Sequence, residues 1–69
     1  MFLKFSGMHG ETVMVNVNDI YMVIKKGDYC DIYIRGITDR IRVKALFAEV
    51  DKNINQLLAE NASSMNKDN

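Results

Sequence analysis

Apolar and polar residues alternate along the first 43 residues, and this pattern constrains the fold more than any other feature of the chain. Short clusters rich in Gly, Asn and Asp interrupt the alternation at 6–10, 17–18, 26–28 and 36–39. Successive side chains of a strand point to opposite faces, so alternation between turn signals predicts short strands joined by hairpins. The expected strands lie at about 2–5, 11–16, 19–25, 29–35 and 40–43.

A different spacing follows from Ala45, where apolar residues recur every three or four positions. They are Leu46, Phe47, Val50, Ile54, Leu57 and Leu58. This spacing predicts an amphipathic helix whose apolar side covers one face of the sheet. Residues 61–69 are polar and without periodicity, so we expect a disordered tail there. The sequence therefore predicts one α+β domain over residues 1–60, an antiparallel meander of four to five short strands with one C-terminal amphipathic helix packed on one face.

Each hairpin must place its apolar residues on one common face, and this requirement restricts the strand register. The expected cross-strand pairs are Leu3 with Val13, Val15 with Ile20, Ile20 with Ile34, Met22 with Ile32, Ile24 with Cys30, Ile34 with Ile41, and Ile32 with Val43. The expected inner face consists of Leu3, Phe5, Val13, Val15, Ile20, Met22, Ile24, Cys30, Ile32, Ile34, Ile41 and Val43. We expect the helix to lie on this face.

The same register leaves an outer face that is half apolar. Its apolar members are Phe2, Met14, Tyr21, Val23 and Tyr33, and its polar members are Lys4, Thr12, Asp31, Arg35, Arg40 and Arg42. Tyrosine favours strands and single exposed apolar side chains are normal, so one interpretation needs no partner. Because five apolar side chains converge, the other interpretation is an interface with a second copy or with a different protein.

The small size of the chain makes self-association attractive. A domain of 69 residues has a small core, and its single cysteine has no partner for a disulfide within the chain. One Cys and one His fall short of the four ligands of a structural metal site. Oligomerisation is the remaining common route to stability, so we expect a homo-oligomer. We see neither a signal peptide nor an apolar run of membrane-spanning length, and we expect a cytoplasmic protein without membrane contact.

Residue types that commonly take part in catalysis are present but do not form the pattern of a catalytic site. His9 lies in a predicted loop with no Ser or Cys nucleophile around it, and Cys30 points inward as a small core residue. The aspartates fall mostly at turns, where they accept backbone hydrogen bonds. No phosphate-binding loop or dinucleotide fingerprint occurs. We therefore expect a protein that is not an enzyme, with no cofactor and no metal.

A basic stripe is the second candidate site. It comprises Lys25, Arg40, Arg42 and Lys44, of which the last three alternate on a predicted edge strand. Charges on an edge strand prevent edge-to-edge aggregation, which is the simpler interpretation. Phosphate binding normally needs a larger basic excess than this chain has, with nine basic and nine acidic residues. Nucleic-acid binding through these residues is the alternative function.

Two families are similar to this chain. The segment GETVMVNVNDI, then IYIRG, then IRVK and an amphipathic helix resembles the FlbD family of short flagellar and swarming-motility proteins, as far as about Leu58. That resemblance implies a small accessory protein without catalytic residues. Residues 15–54 are similar to the second half of a LytTR DNA-binding domain, with matching positions at Asn16, Asp19, Ile20, Arg40, Arg42 and Lys44. Phage or mobile-element proteins that inhibit a host machine by surface binding are a further analogy.

The expected function is thus a small protein-interaction module, with an accessory, regulatory or inhibitory role. Its partner is itself or a larger host protein.

Overall fold

A computed structural model describes residues 1–67, with side chains as far as Asn61. The elements are β1 (Phe2–Ser6), β2 (Thr12–Asn16), a 3-10 turn (Val17–Asp19), β3 (Ile20–Lys26), β4 (Tyr29–Ile34), β5 (Ile41–Val43) and α1 (Phe47–Lys67). β1 pairs with β2 in one sheet, and β3, β4 and β5 form a second sheet in chain order. All neighbouring strands run antiparallel. The predicted α+β meander with a C-terminal helix is confirmed.

Backbone hydrogen bonds join the two sheets at the end of β1. Gly7 forms an isolated bridge with Val43, and the Lys44 amide donates to the Ser6 carbonyl over 2.7 Å. β5 therefore lies between β4 and the end of β1. The arginine-bearing strand β5 is an edge strand of the three-stranded sheet, as predicted, and its end at Val43 is bridged to Gly7.

The hairpin between β3 and β4 has a tighter turn than expected. Lys26 lies opposite Tyr29 and Lys25 opposite Cys30, which leaves a turn of only Gly27 and Asp28. Gly27 has a φ of +75°, whereas no residue other than glycine has a positive φ among the described residues. Positive φ at the first central position alone defines a type II′ turn, which connects strands with two residues. Ile24 consequently faces Asp31 rather than Cys30.

A β-bulge at Tyr21 restores the expected alignment at the start of β3. Ile20 lies opposite Ile34 as predicted, but Met22 lies opposite Tyr33, so Tyr21 is the extra residue. A bulge of one residue exchanges the two faces of the strand beyond it. Val23 consequently packs against the core, while Met22 is 42% exposed. The predictions that Met22 and Ile24 point inward and that Val23 points outward are wrong.

Four other pairings also differ from prediction, and three of them, including Ile34 with Ile41, keep the same face. Leu3 pairs with Val15, and Ile32 with Ile41, each two positions from the expected register. A shift of two leaves every side chain on its original face. Val15 does not pair with Ile20, because the 3-10 turn separates β2 from β3. The Asn16 side chain caps this turn by accepting a hydrogen bond from the Asn18 amide at 3.1 Å.

The core lies between the inner faces of the strands and the first turns of α1. Its buried members are Phe5, Val15, Cys30, Ile32, Ile34, Val43 and Val50, with Ala45, Phe47 and Ile54 packed against them. The helix begins at Phe47 rather than Ala45, and its first turn is closed by bonds from Glu49 and Val50 to the Leu46 carbonyl.

The helix continues to Lys67 and so includes part of the segment that we expected to be a tail. Disorder of residues 61–69 stays a prediction, and its last two residues lie outside the described part of the chain.

Candidate interaction surfaces

The outer face of the β3–β4 hairpin carries an aromatic cluster, which we call the tyrosine face and define as Tyr21, Met22 and Tyr33. The two tyrosine ring centroids lie 6.1 Å apart and the rings are tilted by 58°. Tyr21 is 59% exposed and Met22 is 42% exposed. Met22 lies directly opposite Tyr33, so the three side chains are contiguous. The predicted contact between Tyr21 and Tyr33 is confirmed by the two rings, but the direct cross-strand partner of Tyr33 is Met22 rather than Tyr21.

The remaining members of the predicted patch lie elsewhere. Phe2 and Met14 are exposed on the β1–β2 hairpin, where Phe2 lies opposite Asn16 and Met14 opposite Lys4. They are therefore diagonal neighbours on the outer face of the other sheet. Val23 packs against the core. The sequence analysis missed Met22 because its register implied a three-residue turn between β3 and β4, whereas the turn contains only Gly27 and Asp28.

A buried carboxylate organises the arginines of the basic stripe. Asp31 is only 2% exposed, although it lies on the outer side of β4. Arg42, directly opposite on β5, donates from Nε to Oδ1 over 2.8 Å and from Nη2 to Oδ2 over 3.2 Å. Arg40 Nε lies 3.4 Å from Oδ2 of the same carboxylate. The Arg42 guanidinium also lies over the Tyr29 ring, 4.6 Å from its centroid.

This network stabilises the charged forms of both partners, the Asp31 carboxylate and the Arg42 guanidinium. The hydrogen bond from Arg42 lowers the pKa of the Asp31 carboxyl below its ordinary value, against the opposing effect of desolvation. The bond to Asp31 raises the pKa of the Arg42 guanidinium. A bidentate arginine–carboxylate pair is the strongest common form of charged hydrogen bond. Asp31 therefore holds Arg42 in place and offsets part of its charge.

The basic stripe is consequently less available than its sequence indicates. Arg40 and Arg42 share the Asp31 carboxylate, so two of the four predicted contacts are already engaged. Lys25 and Lys44 are exposed. Lys25 lies on β3 opposite Cys30, away from Arg42, which lies opposite Asp31.

An open polar cleft of about 550 Å³ lies beside these arginines. It is lined by Met8, His9, Glu11, Asp39, Arg40 and Arg42, with charges of both signs. Glu11 folds back over its own loop and accepts a hydrogen bond from the His9 amide over 2.8 Å. Bonds from the backbone lower the pKa of Glu11. Of these lining residues none has a hydroxyl or thiol, so His9 has no nucleophile to activate in this cleft.

The single cysteine is part of the core. Cys30 is fully buried, and its Sγ lies 3.3 Å from the Ala45 carbonyl, to which it donates. Burial raises the pKa of the thiol, which keeps it protonated and unreactive. The predicted inward orientation of Cys30 is confirmed.

Within residues 1–61 no group of three His, Cys, Asp or Glu side chains gathers closely enough to hold a metal ion. The described helix is not long and apolar enough to cross a membrane. Comparisons with known proteins find no matching family model, no similar curated protein and no similar solved structure.

Proposed function

We propose that this chain is a small protein-binding module of the cytoplasm, not an enzyme, which acts in an accessory, regulatory or inhibitory role by surface contact. The observation that carries the proposal is the tyrosine face, where two tyrosines in ring contact and an exposed methionine lie on one hairpin. Aromatic residues and Met are enriched at protein interfaces. The resemblance to the FlbD family, which stays a prediction, agrees with an accessory role.

The exposed area of this face is large enough to contribute to binding. A Tyr side chain buries about 200 Å², so covering the exposed parts of Tyr21 and Met22 removes about 200 Å² from water. At about 25 cal/mol per Å², this burial contributes about 5 kcal/mol before the cost of association. A stable interface buries about 800 Å² on each partner, so the tyrosine face would be its centre and the surrounding surface its rim.

Nucleic-acid binding through Lys25, Arg40, Arg42 and Lys44 is the competing function. The internal ion pairs of Arg40 and Arg42 argue against it, because each would have to exchange Asp31 for a phosphate. Such binding would also weaken steeply with salt, since each phosphate contact releases counterions. An apolar interface has little salt dependence.

Two double variants separate these functions. Tyr21→Asp with Tyr33→Asp places charge in the tyrosine face, and Lys25→Glu with Lys44→Glu reverses the two exposed lysines of the basic stripe while sparing the buried Asp31 network. Thr12→Asp, at an exposed position on β2, is the matched control for adding a charge to a strand. Circular dichroism establishes that each variant folds.

We expect analytical ultracentrifugation to show that the wild type self-associates or binds a protein added from its host, that the tyrosine variant loses this binding, and that the lysine variant and Thr12→Asp retain it. The proposal is wrong if the wild type is a monomer without a protein partner. It is also wrong if the chain binds DNA in a salt-sensitive manner that only the lysine variant abolishes.

A further inference from the structure

β3 has one side without a strand partner among the described residues. It pairs with β4 alone, whereas β4 lies between two strands and β5 lies between β4 and the end of β1. β3 is also the longest strand, with seven residues, yet none of its side chains is fully buried. By contrast, four of the six residues of β4 are buried. β3 therefore forms an open, largely apolar edge.

The type II′ turn determines which backbone groups of β3 face this edge. In a hairpin closed by two residues, the closing pair Lys26–Tyr29 exchanges both hydrogen bonds, and pairs then alternate along the ladder. Ile24 and Met22 consequently bond to β4, while the N–H and C=O groups of Val23 and Lys25 point away from it. A row of unpaired backbone groups on an apolar strand is a template for pairing with another strand.

We propose that β3 pairs antiparallel with β3 of a second copy of this chain, on a two-fold axis at Val23. This inference rests on the proposed protein-binding role and names its partner. The two Val23 residues exchange both backbone hydrogen bonds. Met22 of each copy then lies opposite Ile24 of the other in non-hydrogen-bonded pairs, where cross-strand side chains approach most closely. The exposed Met22 thereby gains an apolar neighbour on both sides, Tyr33 within its own chain and Ile24 across the axis.

Repulsion between lysines favours the register with its axis at Val23 over the register with its axis at Ile24. With the axis at Val23, Lys25 of each copy lies opposite Tyr21 of the other, and Lys26 lies opposite Ile20. With the axis moved to Ile24, the two Lys25 residues become diagonal neighbours on the same face, where like charges repel. The same strand is thus complementary to itself in one register, with an apolar centre and with the lysines of the two copies at opposite ends of the paired strands. This self-complementarity is the reason to assign the edge to a second copy.

Residue-resolved amide hydrogen exchange of the wild type tests the pairing. We expect the Val23 amide to exchange at least about tenfold more slowly in concentrated than in dilute protein, because only the paired form covers it. The amides of Met22 and Ile24 bond to β4 in every copy and should show no such concentration dependence. Ultracentrifugation of the same samples should show a dimer that dissociates on dilution.

Val23→Pro tests the pairing of the two β3 strands directly, because proline removes an N–H that points away from β4. We expect a folded monomer, whereas Ile24→Pro removes a bond within the hairpin and should unfold the domain. If Val23→Pro disturbs core packing, N-methylation of Val23 in chemically synthesised chain removes the same N–H and keeps the side chain. A dimer that survives N-methylation of Val23 would overturn the pairing.

The variant Tyr33→Asp separates this inference from the proposed function, because Tyr33 lies on β4 and not on the β3 strands that pair. If Tyr33→Asp separates the copies and the Val23 variants do not, the tyrosine face is the contact, and edge pairing is overturned while the protein-binding role stands. If the Val23 amide gains protection only when a different protein is added, a partner strand occupies the edge and self-pairing is overturned. A wild type that stays monomeric, with fast exchange at Val23 at every concentration, also overturns it.

Discussion

The packing of the helix on the sheet depends most on Val50, and the substitution Val50→Asp tests it. Val50 is 1% exposed and belongs to the core cluster. Aspartate there would place a carboxylate with no charged partner in the core, at a cost of about 3–5 kcal/mol by analogy with a broken buried ion pair. A domain of 69 residues has a total stability of about 3–10 kcal/mol. We therefore expect Val50→Asp to be largely unfolded.

Val50→Ala tests the same packing of the helix on the sheet with a milder change. It removes two methylene-sized groups, worth about 1.6 kcal/mol, before any cavity cost. For a chain of this size such a loss lowers the melting temperature by about 6–13 °C.

Thermal melts followed by far-ultraviolet circular dichroism measure both variants, and Ala48→Asp is the control. Ala48 is exposed in the same helical turn, so Asp there adds the same charge without burying it. We expect Ala48→Asp to melt close to the wild type, since acidic residues are favourable near a helix N-terminus. Equal melting temperatures for Val50→Asp and Ala48→Asp would refute the packing of α1 on the sheet.

Two further predictions concern polar contacts. Asp31→Asn should lower the melting temperature at pH 7, because it weakens the hydrogen bond to Arg42. Since the pKa of Asp31 is lowered in the folded state, the stabilisation is present above the ordinary carboxyl pKa and is lost as the pH falls below that pKa. A wild-type advantage over Asp31→Asn that does not shrink between pH 5 and pH 2, in thermal melts, would contradict this network. Gly7→Ala should lower the melting temperature only slightly, since a Cβ at Gly7 would overlap the Glu11 carboxylate, which is the end of a flexible, exposed side chain and would lose its bond from the His9 amide. Glu11→Ala in the same chain should restore part of the loss, and a double variant no more stable than Gly7→Ala would show that the Glu11 side chain is not the obstacle.

The sequence alone determined the fold class and the position of the helix. Period-two alternation and the three-to-four spacing after Ala45 depend on local geometry, so they predicted the strands, the amphipathic helix and the inward orientation of Cys30. The Gly27-Asp28 turn was also readable from sequence, because glycine followed by aspartate is typical of two-residue hairpin turns. Counting that turn as two residues would have placed Val23 inside and Met22 outside.

Tertiary structure alone decided the features that depend on contacts between distant residues. The bulge at Tyr21 forms because Ile20 pairs with Ile34 while a turn at the other end of β3 imposes a register that differs by one residue. Arg42 appeared free in sequence, but β4 and β5 bring it beside Asp31, eleven residues away. The bridge from Gly7 to Val43 likewise connects the end of the edge strand β5 to the end of β1, and β3 is the open edge on the other side of the sheet. Such pairings depend on the packing of the whole chain, so a local residue pattern does not predict them.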